Sequence, residues 1–136
     1  MTVAEIMTPD PYAVSVTTSL RAVLRALAEA DVRHLPVVDE GALVGIVSDR
    51  DLRAVDAVSL EAADKPEAAR QALAQPVSSV MSSDVVSVNP ESDVADVIDL
   101  MIEHRIGAVP VVEADSSKLV GIVSYVDALR AARDLL

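Results

Sequence analysis

The sequence predicts a mixed fold, α+β or α/β, built from two β-α-β-β-α repeats that pack sheet to sheet about an internal pseudo-twofold axis. Three observations predict it. The chain is written twice, each copy carries an apolar stripe of helical period, and each copy follows that stripe with two apolar runs split by a turn.

The duplication organises everything else, because a repeat missed is a fold misassigned. An offset of 74 aligns Met7 with Met81, Asp10 with Asp84, Val14 with Val88, Val23 with Val97, and Pro36-Val37-Val38 with Pro110-Val111-Val112. A two-residue insertion then raises the offset to 76. There Leu43-Val44-Gly45-Ile46-Val47-Ser48 meets Leu119-Val120-Gly121-Ile122-Val123-Ser124, six identical residues in succession.

Within each copy the elements follow in the same order. The alternating segments Val14-Ser15-Val16 and Val86-Ser87-Val88 predict a half-buried strand. Leu20, Val23, Leu24 and Leu27, and then Val94, Val97, Ile98 and Met101, recur at i, i+3, i+4 and i+7, which marks a helix with one buried stripe. Leu35–Val38 and Leu43–Val47 flank Asp39-Glu40-Gly41-Ala42, a hairpin signal. A last helix is expected from Asp49 to about Val55 and from Tyr125 to about Leu135. Pro36 and Pro110 are read as structural residues at strand starts, where a missing N–H is tolerated, and Met7 and Met81 as core filler.

The repeats are assigned to residues 1–55 and 76–136. Residues 56–75, rich in Ala and Glu, form a connector with a short helix expected around Glu67–Ala74. Copies of this size are marginal alone, so each apolar sheet face is expected to pack against its twin.

Composition narrows function. The 136 residues hold 11 basic and 22 acidic side chains, a net charge of −11, which opposes docking on a phosphate backbone and argues against direct nucleic-acid binding. With no Cys, thiolate chemistry and cysteine-held metals are excluded. No apolar run approaches the roughly 18 residues of a membrane span, and Met1 to Asp10 lacks a basic, apolar leader. The expectation is a soluble cytoplasmic protein that does not engage membranes. His34 and His104 occupy unmatched positions in the repeat and no metal motif, and the chain has no Gly-x-Ser-x-Gly, His-Glu-x-x-His or phosphate-cradling glycine loop. No catalytic residue, metal site or enzymatic activity is expected.

Val3-Ala4-Glu5-Ile6-Met7-Thr8-Pro9, Val77-Ser78-Ser79-Val80-Met81-Ser82, Arg33-His34-Leu35-Pro36-Val37-Val38-Asp39 and Gly45-Ile46-Val47-Ser48-Asp49-Arg50-Asp51 together resemble the cystathionine-β-synthase (CBS) domain family, usually found as tandem pairs. The resemblance covers nearly all of the chain except the connector. It implies a cleft between the copies that takes an adenosyl ligand such as AMP, ADP, ATP, S-adenosylmethionine or NAD. By the same resemblance Ser48 with Asp51, and Ser124 with Asp127, contact ribose and phosphate. The base and phosphate rim would be lined by Tyr12, Ala13, Val14, Val32, Arg33 and His34 in the first copy and by Val86, Ser87, Val88, Ile106, Gly107 and Ala108 in the second. Which wall serves which Ser/Asp pair stays open.

The residues themselves allow two readings of Ser-x-x-Asp. A carboxylate accepts two hydrogen bonds, as a ribose diol requires; the same motif before a helix is also a capping box. Arg50 can clamp phosphate, whereas its counterpart Val126 cannot. Arg33 either joins that role or pairs with Asp31 or Glu29, and Tyr12 either stacks on a base or covers the sheet edge. The functional expectation is a regulatory module that senses an adenine-containing metabolite and acts through a homodimer or a separate effector protein; the alternative is a homodimerising scaffold with degenerate clefts.

Overall fold

The computed structural model describes residues 1–53 and 66–136. The expected end of the helix near Val55 and the first part of the connector, 56–65, lie outside the described residues. In chain order the elements are α1 (Val3–Ile6), β1 (Thr8–Pro9), β2 (Val14–Ser15), α2 (Leu20–Ala30), β3 (His34–Asp39), β4 (Ala42–Ser48), a helical stretch described over 49–53 (α3), α4 (Pro66–Ala74), a 3-10 turn (Val77–Ser79), α5 (Val94–His104), β5 (Ala108–Val112), β6 (Leu119–Ser124) and α6 (Tyr125–Arg133). The fold is mixed α and β with two three-stranded sheets, β2-β3-β4 and β1-β6-β5.

These elements form two compact units whose boundaries do not follow the sequence repeats. The amino unit is Tyr12–Asp39 with Val44–Val85, and the carboxy unit is Met1–Pro11, Glu40–Leu43 and Val86–Leu136. The repeats have exchanged their leading segments.

In the amino unit, α2 starts where the Ser19 Oγ accepts the Ala22 N–H at 3.2 Å and stops at Asp31, which takes the left-handed conformation with φ 53°. Its stripe buries Leu20, Val23, Ala26 and Leu27 against Val14, Leu35, Val37, Val47, Leu52 and Val77. Fully buried Leu and Val side chains of this kind are each worth about 1.5–3 kcal/mol over exposure. The β3–β4 hairpin turns on Glu40 and Gly41, at φ 50° and 85°, the two positive values a tight hairpin turn requires. The segment from Pro76 closes this core: the Val77 N–H donates to the Thr18 carbonyl at 2.8 Å, and Ser82 bridges to Ile46.

The carboxy unit repeats the scheme. α5 places Val94 and Val97 inside and ends at Arg105, φ 55°. Its core gathers Val3, Val97, Val109, Val111 and Val123. The leading segment docks as its counterpart does, with the Val3 N–H on the Ser92 carbonyl at 2.8 Å and Thr8 paired with Ile122 on β6.

Two expectations need correction. Pro36 and Pro110 are not at strand starts but are the third residues of β3 and β5, and both are buried. Val86-Ser87-Val88 is not a strand; only Val88 pairs, through a parallel bridge to Val111. The second fact is connected with the first. Val88 donates to the Pro110 carbonyl at 3.1 Å and accepts from the Val112 N–H at 2.8 Å, so this edge of β5 faces it. The next bond toward the N-terminus would need the Pro110 N–H, which does not exist. In the other direction the Val16 N–H extends the β2 ladder to the Val38 carbonyl at 3.2 Å, whereas the aligned residue is Pro90, which has nothing to donate.

Candidate functional site

Each unit carries one copy of the Ser-x-x-Asp motif where a strand passes into a helix. In the amino unit Asp51 Oδ2 accepts the Ser48 N–H at 2.9 Å and Ser48 Oγ accepts the Asp51 N–H at 3.3 Å. In the carboxy unit the same bonds, from the Ser124 N–H to Asp127 Oδ2 and from the Asp127 N–H to Ser124 Oγ, measure 2.9 and 3.3 Å; the Ser124 hydroxyl also donates to Asp127 Oδ2 at 3.0 Å. Both motifs are therefore closed capping boxes, each satisfying backbone donors that a helix start otherwise leaves open. The capping spends one carboxylate oxygen. No hydrogen bond among the described residues reaches Oδ1 of either Asp, and all four side chains are only partly buried.

Backbone bonds clasp the wall segments to these motifs. The Asp49 N–H donates to the Arg33 carbonyl at 2.9 Å, and in the other unit the Tyr125 N–H donates to the Gly107 carbonyl at 2.8 Å. The structure thus brings Val32, Arg33 and His34 beside Ser48 and Asp51, and Ile106, Gly107 and Ala108 beside Ser124 and Asp127. Tyr12, Ala13 and Val14 belong to the amino unit, and Val86, Ser87 and Val88 to the carboxy unit. Each unit therefore contains one repeat's wall together with that repeat's own Ser/Asp pair.

Not all wall residues present side chains. Val14 and Ala108, each 6% exposed, turn theirs inward and offer only backbone. Val88 packs partly against the carboxy core. Tyr12 stands 59% exposed.

The two units differ in charge. His34 is half-buried, and burial pushes its pKa below the usual 6.5 against the pull of Asp49 and Asp51, with Arg33 adding to the depression. Arg33, Arg50 and Arg53 are exposed, and none takes part in an ion pair among the described residues, so the pairing of Arg33 with Asp31 or Glu29 does not form. At the aligned places the carboxy unit has Gly107, Ala108, Val126 and Leu129. Asp49, Arg53, Tyr125 and Leu129 were not among the expected site residues, although the offset of 76 that paired Arg50 with Val126 also pairs these. Among the described residues no group of three or more His, Asp or Glu gathers to hold a metal, and no helix is long and apolar enough to cross a membrane.

A duplicated strand-to-helix Ser/Asp motif, tied by a backbone bond to the residue that precedes the first long strand of each half, defines a class of tandem modules, and comparison with known proteins gives that class its name. The CBS domain profile matches residues 3–57 and again 77–134, so the chain belongs to the CBS domain family. A relative, the CBS domain-containing protein YhcV of Bacillus subtilis, is 33% identical over 125 residues, covering 92% of this chain and 81% of its own length. Among solved structures, Arabidopsis thaliana CBSX2 in complex with AMP superposes with a TM-score of 0.81 at 33% identity, covering 98% of this chain and 97% of that one. The CBS domain pair of protein MJ0100 in complex with 5′-methylthioadenosine and S-adenosyl-L-methionine gives 0.79 at 26% identity, covering 100% and 98%.

Proposed function

We propose that the chain is a non-catalytic regulatory module that binds adenosyl ligands, the ribose accepted by Asp51 with Ser48 in the amino unit and by Asp127 with Ser124 in the carboxy unit. The reading is supported by the uncommitted Oδ1 of each Asp, a hydrogen-bond acceptor beside a partly exposed segment in a scaffold whose relatives were crystallised with AMP and with 5′-methylthioadenosine. Arg33, His34 and Arg50, next to the Ser48–Asp51 motif in the amino unit, supply the basic groups that a phosphate carried on the ribose would call for. Binding shifts an equilibrium only by its differential affinity for two states, so sensing here requires a change of shape, of self-association as a homodimer, or of affinity for an effector protein.

A structural scaffold is the second reading, favoured by the closed capping boxes, which give Ser48, Asp51, Ser124 and Asp127 a purely architectural task. Thermal melting with AMP, ADP, ATP, S-adenosylmethionine, 5′-methylthioadenosine and NAD separates the two. A ligand present at 100 times its Kd adds about 2.7 kcal/mol and raises the midpoint by several degrees. A midpoint unmoved by every adenosyl compound at millimolar concentration overturns the ligand reading and leaves the scaffold.

A further inference from the structure

The two Ser/Asp motifs share their backbone bonds to within 0.1 Å of one another, yet their surroundings differ in kind. Arg33 and His34 lie beside the Ser48–Asp51 motif, and Arg50 and Arg53 are carried by its helix. Arg33 is tied by its carbonyl to the first residue of α3, Arg50 follows that residue directly, and Arg53 lies one turn beyond Arg50 on the same side of the helix. Two arginines without ion-pair partners among the described residues, Arg33 and Arg50, thus flank the Ser48–Asp51 motif in the chain fold, and Arg53 adds a third positive charge to the same helix. Asp49 opposes them, together with Asp51 itself.

Around Ser124 and Asp127 the aligned positions read Gly107, Ala108, Val126 and Leu129, with Tyr125 in the place of Asp49. Tyr125, Val126 and Leu129 are exposed by 52, 37 and 63%. The arginines of α6, Arg130 and Arg133, sit in its last turn, and Arg133 pairs with Asp134 at 3.5 Å. A phosphate placed beside Asp127 would meet that carboxylate and an apolar rim. A neutral thioether or alkyl group would meet surface it can cover, at about 25 cal/mol for each Å² removed from water.

We propose that the two motifs divide ligands by the charge of the 5′ substituent: the amino unit takes a phosphorylated adenosyl ligand and the carboxy unit takes one with a neutral, apolar substituent. The division rests on the adenosyl-binding reading above and goes beyond it by assigning a ligand class to each motif. Arg50 and Val126 are the residues that set the selectivity.

Isothermal titration of the full chain with AMP and with 5′-methylthioadenosine tests it. Arg50→Gln lowers AMP affinity about tenfold or more, the size of one charge-assisted hydrogen bond, and leaves 5′-methylthioadenosine unchanged. Asp51→Ala abolishes the AMP site alone, and Asp127→Ala abolishes the 5′-methylthioadenosine site alone. Val126→Arg, which disturbs no capping bond, adds a second AMP site. Circular dichroism confirms that each variant is folded before titration. Equal loss of both ligands in Arg50→Gln, or loss of AMP in Asp127→Ala, overturns the division while adenosyl binding stands. Failure of the wild-type chain to bind either compound overturns both.

Discussion

The sulfur of Met7 fills the space that a side chain at Gly121 would need: a Cβ built there lies 2.5 Å from Met7 Sδ and 3.1 Å from the Thr8 carbonyl oxygen. Met81 stands over Gly45 in the same way, at 2.6 Å, with the Ser82 carbonyl oxygen at 3.0 Å. The glycine of each Leu-Val-Gly-Ile-Val-Ser segment therefore admits a methionine and the backbone behind it. That methionine comes from the leading segment of the other repeat.

Gly121→Ala is expected to destabilise the fold by about 1–3 kcal/mol, the cost of forcing a methyl group into a filled site. The thioether can swing aside, but the Thr8 carbonyl belongs to β1 and moves only with the strand. A double-mutant cycle by chemical denaturation, adding Met7→Ala, is expected to recover part of the loss. Strict additivity of the two substitutions would show that Met7 and Gly121 do not share this space.

The leading segment also supplies Val3, which has no exposed surface and lies among Val97, Val109, Val111 and Val123. Val3→Ala is expected to cost about 2 kcal/mol through lost burial and an unfilled cavity. Ala4→Ser, at an exposed neighbouring position, serves as the control and stays within about 0.5 kcal/mol. If Val3→Ala melts like the control, the first residues do not complete this core.

Much of this architecture was legible in the chain. The stripes Leu20, Val23, Leu27 and Val94, Val97 are the buried faces of α2 and α5, and the Glu40-Gly41 turn stands where two apolar runs break. The exchange of leading segments was not legible, for a physical reason. Met7 fits Gly45 or Gly121 equally well as a sequence, because duplication made the two receptors nearly identical; only the path of the chain decides between them. The extent of the Val86–Val88 pairing was hidden as well, since it hinges on Pro110 and Pro90, whose missing N–H groups matter only once the register with Val88 is known. At the candidate site the Ser/Asp spacing disclosed the capping boxes, whereas the clasp between Arg33 and Asp49 joins residues too far apart in sequence for any local pattern to reveal.

The capping boxes give a stability prediction separate from ligand binding. Ser124→Ala removes the acceptor for the Asp127 N–H and the hydroxyl that donates to Asp127 Oδ2, and is expected to cost about 1 kcal/mol in denaturant titration without ligand. Ser124→Thr keeps the oxygen and is expected to retain most of that stability. Equal losses for the two would remove the hydroxyl from the account of the helix start.

His34 supplies the pH dependence. Its folded-state pKa lies below the ordinary 6.5 because half-burial disfavours the imidazolium, although Asp49 and Asp51 pull the other way. A depressed value means that the unfolded chain binds the proton more readily. The contribution of His34 to stability is therefore fully present above pH 6.5 and is lost as the pH falls through the folded-state value. Denaturant midpoints measured between about pH 7.5 and pH 5.5 are expected to fall with decreasing pH in the wild-type chain, and His34→Gln, which cannot titrate, flattens that fall. If His34→Gln and the wild type lose stability in parallel across this window, then burial of the imidazole is not what sets the response, and the carboxylates beside it hold its charge after all.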